Sequence, residues 1–268
     1  MPSLSLVMIL YNEREYLEVS KKEFFDQFDQ LVFVDMGSTD GSLDVIASCP
    51  PDRTTLVSIE RRALFDHGFA HARNVGSKAA SCDWVFTVDA DEIVDPAEFS
   101  LLRERLARTE KSVCGVDRRN YEAQADLGLH DWRGIAANAP FQEETHRRLH
   151  RSAGDVCWQG MIHEELWIGN ESAFFHQEHI PVTLHHLSAY RTNSPNSEKG
   201  IMYAWLTLRA FSDPPARIGT NQWWFDHYVP QHYMALCAMA NDFADRYDLQ
   251  KFDTETMRAV IERELQSA

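Results

Sequence analysis

The chain has 268 residues, 44% of them hydrophobic, which excludes general disorder and suits one large domain or a core domain with an appendage. A formal charge of −15, from 41 acidic and 26 basic residues, opposes nonspecific attraction to nucleic acid or an anionic membrane surface, so no nucleic acid partner is expected. Five cysteines without CxxC spacing fit a reducing cytoplasm; the N-terminus has no basic stretch of the signal-peptide kind, and no apolar run of about eighteen residues predicts a transmembrane segment.

In chain order, LSLVMIL (4–10) is an unbroken apolar run, the pattern of a strand covered on both faces. Helical spacing of Tyr16, Leu17, Phe24, Phe25 and Phe28 follows, and LVFVD then predicts a second buried strand ending at Asp35. GSTDGS reads as a turn with a helix start attached, because Ser and Asp cap exposed N–H groups and Gly permits the tight backbone. SLDVIASC predicts a helix, TTLVSIE a third strand, GFAHARNVGSKAA a helix and WVFTVD a fourth strand. Strands alternating with helices predict an α/β fold with a mostly parallel central sheet flanked by helices. The clusters YNE, DMGSTD and DADE all follow strands, so they are expected on one edge, where such sheets bind ligands.

From about Asp117 to Thr145 the periodicity is weak and the composition polar, which predicts a partly irregular excursion. DVCWQGMIHEELWIG and IPVTLHHLSAY read as short strands carrying histidines. From about Ser197 the pattern is helical, with a break at Pro214 and Pro215. The expected organisation is a core over 1–194 and a helical C-terminal extension over 195–268, with the boundary near Arg191 to Pro195.

The fourth strand ends in a knot of acids: Asp89, Asp91, Glu92 and Asp95. Repulsion and desolvation both oppose that arrangement, so a positive partner is expected. Asp89 and Asp91, at i and i+2 at the end of a strand, project to one side and can share a hard cation, with Mg2+ or Mn2+ leaving positions for diphosphate oxygens. The plainer reading is a solvated acidic turn that caps the helix of DPAEFSLLRERL.

MILYNE, VDMGSTDGS, AHARN and VDADE, in that order, resemble the family 2 glycosyltransferases. RRLHR, WQGMIHEEL and LHHLSAY resemble the branch that includes the lipopolysaccharide core glucosyltransferases and related bacterial sugar transferases. The resemblance implies the GT-A fold of nucleotide-diphospho-sugar transferases and a DxD motif holding a divalent metal. It also implies transfer of a sugar, with inversion, from a nucleoside diphosphate donor to a carbohydrate or glycolipid acceptor. Carried over, Tyr11, Asn12 and Glu13 line the nucleoside pocket, Asp35 accepts from base or ribose, and Arg73 contacts the nucleotide. Asp89 faces the ribose or a metal-bound water, or joins Asp91 on the metal, and His186, ahead of His185, supplies a third ligand. Helix capping by Glu13 and Asp40, and an ion pair for Arg73, are the structural alternatives.

Inverting transfer needs a base for the acceptor hydroxyl, and the resemblance points to Glu164, with Glu165 in reserve. Adjacent strand residues face opposite ways, so only one can serve; a surface acid on an edge strand is the alternative. HE in place of the family's ED, and Met36 in place of an acid, are departures from the common pattern. Arg147, Arg148 and Lys199 could neutralise diphosphate or lie on the surface. Trp223, Trp224, Phe225 and Tyr228 suit core packing, an acceptor sugar or a second subunit, which leaves room for a homo-oligomer. A non-catalytic nucleotide-sugar-binding module is the alternative function; a nucleotidyltransferase is disfavoured because LYNEREYLE is not a glycine-rich phosphate loop. A cytoplasmic protein, with room for peripheral association with the inner membrane, completes the reading.

Overall fold

The computed structural model describes residues 1–190, 196–213 and 224–267. The boundary expected at Arg191 to Pro195, the break at Pro214 and Pro215, and Trp223 lie outside the described residues. Two compact units are present. The first comprises Met1–Arg61, Ala72–Cys157 and Leu166–Thr192; the second comprises Arg62–His71, Trp158–Glu165 and Asn193–Ala268. The helical tail is therefore grouped with two short segments drawn from within the core range.

The first unit is built on β1 (Leu4–Leu10), whose seven residues are all buried. It lies between β2 (Gln30–Asp35) and β4 (Trp84–Thr87), parallel to both, and β3 (Thr54–Ser58) extends the sheet parallel to β2. The connections carry α1 (Arg14–Glu23), α2 (Ser42–Ala47) and α3 (Arg61–Ala79), as the alternating pattern predicts. Phe24, Phe25, Phe28, Phe33, Phe86 and Phe99 pack in one apolar cluster, with Phe28 and Phe99 edge-to-face at 5.2 Å.

Beyond β4 come β5 (Glu92–Val94), α4 (Phe99–Arg108), β6 (Val113–Tyr121), α5 (Trp132–Asn138) and β7 (Phe141–Arg151). Then follow β8 (Val156–Gln159), β9 (Glu165–Ile168), β10 (Glu171–Ser172) and β11 (Gln177–His186). The eight-stranded order is β3-β2-β1-β4-β7-β6-β11-β5. Among the described residues, four of these pairings are parallel and three, those of β4 with β7, β7 with β6 and β11 with β5, are antiparallel.

The stretch expected to be a partly irregular excursion holds the facing ends of β6 and β7, with loop, turn and α5 between them. Its polar composition at the strand ends reflects charge pairing between β6 and β7. Arg118 stands opposite Glu144 and Arg119 opposite Glu143, ion-paired at 3.1 and 2.7 Å. Opposite charges across a strand pair stabilise it without producing hydrophobic alternation.

The strand order also dictates shape. In a flat sheet β4 and β5 would stand four strand spacings apart, roughly 19 Å. Only residues 88–91 join them, and Glu92 N donates to Asp89 O at 2.9 Å, closing a turn. Two extended steps and one turn reach about 14 Å at most. The sheet therefore curls, and the acidic segment bridges the curl.

The second unit contains α6 (Asn196–Ser212), α7 (Val229–Tyr247) and α8 (Thr254–Ser267); α6 supplies Trp205, and α7 supplies Phe243 and Tyr247, around Phe65. Phe225 is buried against Phe211 at 5.8 Å, which is the core-packing reading of that aromatic group. Gly68 breaks α3 with φ 73 and ψ −177. This frees Phe69 N to donate to Met161 O at 2.8 Å, and a Cβ on Gly68 would lie 2.1 Å from Met161 Cα. Gly68→Ala is expected to destabilise the protein by roughly 1–3 kcal/mol through backbone strain alone, read as a lowered midpoint in chemical denaturation. No helix among the described residues is long and apolar enough to cross a membrane.

Candidate active site

Parallel strands β1, β2 and β4 end on the same edge, so the clusters that follow them meet there. After β1, Asn12 takes a left-handed backbone, φ 56, one that Asn tolerates better than most residues. Its N–H donates to Ser38 Oγ at 2.9 Å, and its Oδ1 accepts from Thr39 N at 2.7 Å. Glu13 stands at the N-cap of α1 but its side chain makes no capping bond. Capping comes from the other turn, where Glu13 N donates to Ser42 Oγ at 2.9 Å and Arg14 N to Asp40 Oδ2 at 3.0 Å. The capping reading of Asp40 thus describes a bond across two turns.

Asp35, buried at the end of β2, accepts from the backbone N–H groups of Gly37 and Ser38 at 3.0 and 3.2 Å. Arg61, which sequence reasoning missed, lies over the Tyr11 ring, its Cζ 3.9 Å from the centroid.

Strand β4 stops at Thr87, so Asp89 and Asp91 belong to the bridging turn and the same-face rule for strands does not apply to them. Asp89 turns to arginines: Oδ1 lies 2.8 Å from Arg73 Nη1 and Oδ2 2.8 Å from Arg148 Nη2. Arg73 thus makes the ion pair that was the structural alternative for it. Burial opposes the charge on Asp89, but Arg148 and Arg73 together hold its carboxyl well below the usual range.

Glu92 was not among the expected site residues. It is fully buried, and Oε1 is reached by Arg148 Nη2 at 2.9 Å and Arg118 Nε at 2.8 Å. Its Oε2 accepts from Asp89 N at 2.9 Å, so side chain and backbone clamp the turn from both ends. Arg148, expected either on diphosphate or at the surface, is buried between two carboxylates; Arg147 lies over Phe174 instead, at 5.2 Å. The alternation of RRLHR could have signalled that Arg148 and His150 are inward-facing. Asp95 caps the following turn, accepting from Ala97 N at 3.0 Å. Most of the positive charge demanded by the acidic knot therefore comes from the chain itself.

Asp91 follows in the same turn. It is buried, and its Oδ1 lies 3.6 Å from Nε2 of His186 at the end of β11. His186 is brought there by the β5–β11 pairing, which sets it opposite Glu92. His185 points elsewhere: its Nδ1 is 2.7 Å from Tyr121 Oη, Trp132 packs on its ring, and burial pushes its pKa down to about 4.

Among the described residues no group of three or more His, Cys, Asp and Glu side chains is arranged to hold a metal ion. Asp91 and His186 form a two-ligand half-site, with one oxygen and one nitrogen donor. A divalent ion held by such a pair would complete its shell with substrate phosphates and water. Glu164 and Glu165 lie in the second unit: Glu165 opens β9, and Glu164 follows His163, whose φ is 54. Lys199 is also in that unit, on α6.

The family model described as glycosyl transferase family 2 matches residues 5–166. The chain belongs to this family. With the curled α/β sheet described above, this family member has the GT-A fold class that the motifs implied. It is 24% identical over 174 residues to the SPbeta prophage-derived glycosyltransferase SunS of Bacillus subtilis (strain 168), covering 65% of this chain and 37% of that protein. It is 32% identical over 121 residues to the lipopolysaccharide core biosynthesis glycosyltransferase LpsC of Rhizobium meliloti (strain 1021), covering 44% and 43%. Among solved structures it is similar to glucosyl-3-phosphoglycerate synthase from Mycobacterium tuberculosis, with a TM-score of 0.46, 17% identity and 79% of each chain covered. The family 2 chain thus spans little more than a third of the length of SunS.

Proposed function

We propose that this protein transfers a sugar from a nucleoside diphosphate donor to a carbohydrate or glycolipid acceptor, with inversion, using Mn2+ or Mg2+. The observation that carries the reading is the approach of Asp91 Oδ1 to His186 Nε2 at 3.6 Å, in the turn that also holds Asp89 and Glu92. Asp91 and His186 would hold the ion, and Asp89 would act by fixing Arg73 and Arg148 beside the donor. A bound divalent ion supplies charge neutralisation for the departing nucleoside diphosphate. The turns carrying Tyr11, Asn12, Glu13 and Asp35 would receive the nucleoside. Glu164, with Glu165 in reserve, would take the proton from the acceptor hydroxyl, as the family resemblance suggests. The name of LpsC, a lipopolysaccharide core enzyme, favours a glycolipid acceptor.

A thermal-shift screen of UDP, GDP, TDP and CDP sugars, with and without Mn2+, tests this. One donor is expected to raise the unfolding temperature only when Mn2+ is present, since a ligand at a hundred times its Kd adds about 2.7 kcal/mol to the native state. Stabilisation by no donor under either condition would sink the reading.

A further inference from the structure

Asn120 on β6 and Glu144 on β7 belong to neither the donor-binding nor the catalytic set named above. Asn120 Nδ2 donates to Glu144 Oε1 at 2.8 Å, and Asn120 Oδ1 lies 2.8 Å from His186 Nδ1. Hydrogen-bond chemistry allows one assignment of this chain of contacts. A carboxylate only accepts, so the amide nitrogen faces Glu144 and the amide oxygen faces the imidazole. The amide oxygen also only accepts, so the hydrogen sits on His186 Nδ1. Glu144 Oε1 is held from two further sides, by Arg118 Nη1 at 3.1 Å and His146 Nε2 at 3.0 Å. The amide is thereby given a fixed acceptor to orient against.

A neutral His186 then carries its lone pair on Nε2, the atom 3.6 Å from Asp91 Oδ1. In metal-binding proteins the ligating nitrogen is selected by the bond that the other ring nitrogen makes.

We propose that Asn120 and Glu144 are positioning residues that lock His186 as the Nδ1–H tautomer, presenting Nε2 together with Asp91 to a divalent cation. The proposal rests on the metal reading given above, and the two are separable by experiment. In the full-length, metal-free protein labelled with 15N-histidine, ring nitrogen shifts are read at an alkaline pH where imidazole is neutral. His186 is expected to be protonated on Nδ1. Asn120→Leu is expected to lose that preference and to weaken Mn2+ binding about 10-fold or more, measured by electron paramagnetic resonance of free Mn2+, alone and with UDP or GDP. Asn120→Asp, whose carboxylate still accepts from Nδ1–H, is expected to keep the tautomer and to bind Mn2+ more tightly than Asn120→Leu.

An Nε2–H tautomer in the wild type overturns the lock even if Mn2+ binds. So does an Asn120→Leu protein that changes neither tautomer nor affinity. Absence of Mn2+ binding by the wild type under every condition overturns the metal reading, and this role with it. Should Asn120→Leu not fold, the wild-type tautomer and the Asn120→Asp protein decide the matter.

Discussion

Glu92→Ala is expected to lower the free energy of unfolding by roughly 3–5 kcal/mol, a fall in Tm on the order of 10 °C for a chain of this size. The reason is charge left behind. Glu92 is fully buried and answers two guanidinium groups, those of Arg148 and Arg118. Removing the carboxylate takes from Arg148, itself buried, one of its two carboxylate partners among the described residues, leaving Asp89, and it also frees Asp89 N from its acceptor. Glu92→Gln, which keeps an acceptor for that N–H but not the charge, should fall between wild type and Ala. Denaturation monitored by circular dichroism checks both, and an Ala variant within about 1 kcal/mol of wild type would show that the cluster contributes little.

The same cluster sets a pH dependence. The carboxyl of Asp89 is held below its unfolded-state value, near 3.9, by Arg148 and Arg73 against the cost of burial. A carboxylate of this kind contributes stability that is present above the unfolded-state pKa and lost as pH falls through the folded one. Stability should therefore decline from about pH 4 downward, and Asp89→Asn should flatten that acid limb.

On the function proposed above, Asp91→Asn is expected to cut metal-dependent turnover sharply. Lewis-acid stabilisation of a leaving diphosphate is worth several kcal/mol, which at about 1.4 kcal/mol per tenfold corresponds to a loss of ~10³-fold or more in kcat/KM. Asp91 supplies the half-site's one carboxylate, opposite His186 Nε2, whereas both oxygens of Asp89 are engaged by arginines. Asp89→Asn should therefore leave Mn2+ affinity within a few-fold of wild type while lowering stability, a contrast read by calorimetric titration. If instead Asp89→Asn eliminates Mn2+ binding and Asp91→Asn does not, the ligand assignment is reversed.

Much of the first half of the fold is legible in the chain. LSLVMIL, LVFVD and WVFT are buried on both faces, so their apolar runs report strands directly, and the turns after them collect on one edge because the strands are parallel. Strands β6 and β7 are not legible in the same way. Ladders such as Arg118–Glu144 and Arg119–Glu143 carry no apolar alternation, so charge pairing across strands looks like loop composition until the register is known. The site divides similarly. Asp91 and His186 are suggested by motif, but Glu92 and Arg118 are not, since their partners lie 56 and 26 residues away in sequence, on β7. Likewise, Gly68 looks like an ordinary helical glycine beside Phe69, because nothing local announces the close approach of Met161.

The short bridge over the curled sheet has one more implication. Residues 88–91 are a short tether: they tie β4 to β5, and β5 in turn pairs with the end of β11 that carries His186. A single inserted residue would loosen the tether and let Asp91 drift relative to the imidazole, so this stretch is intolerant of length variation. On the function proposed above, divergence in sugar or acceptor would then fall in segments outside the bridge, with the spacing of the acid and the imidazole held constant.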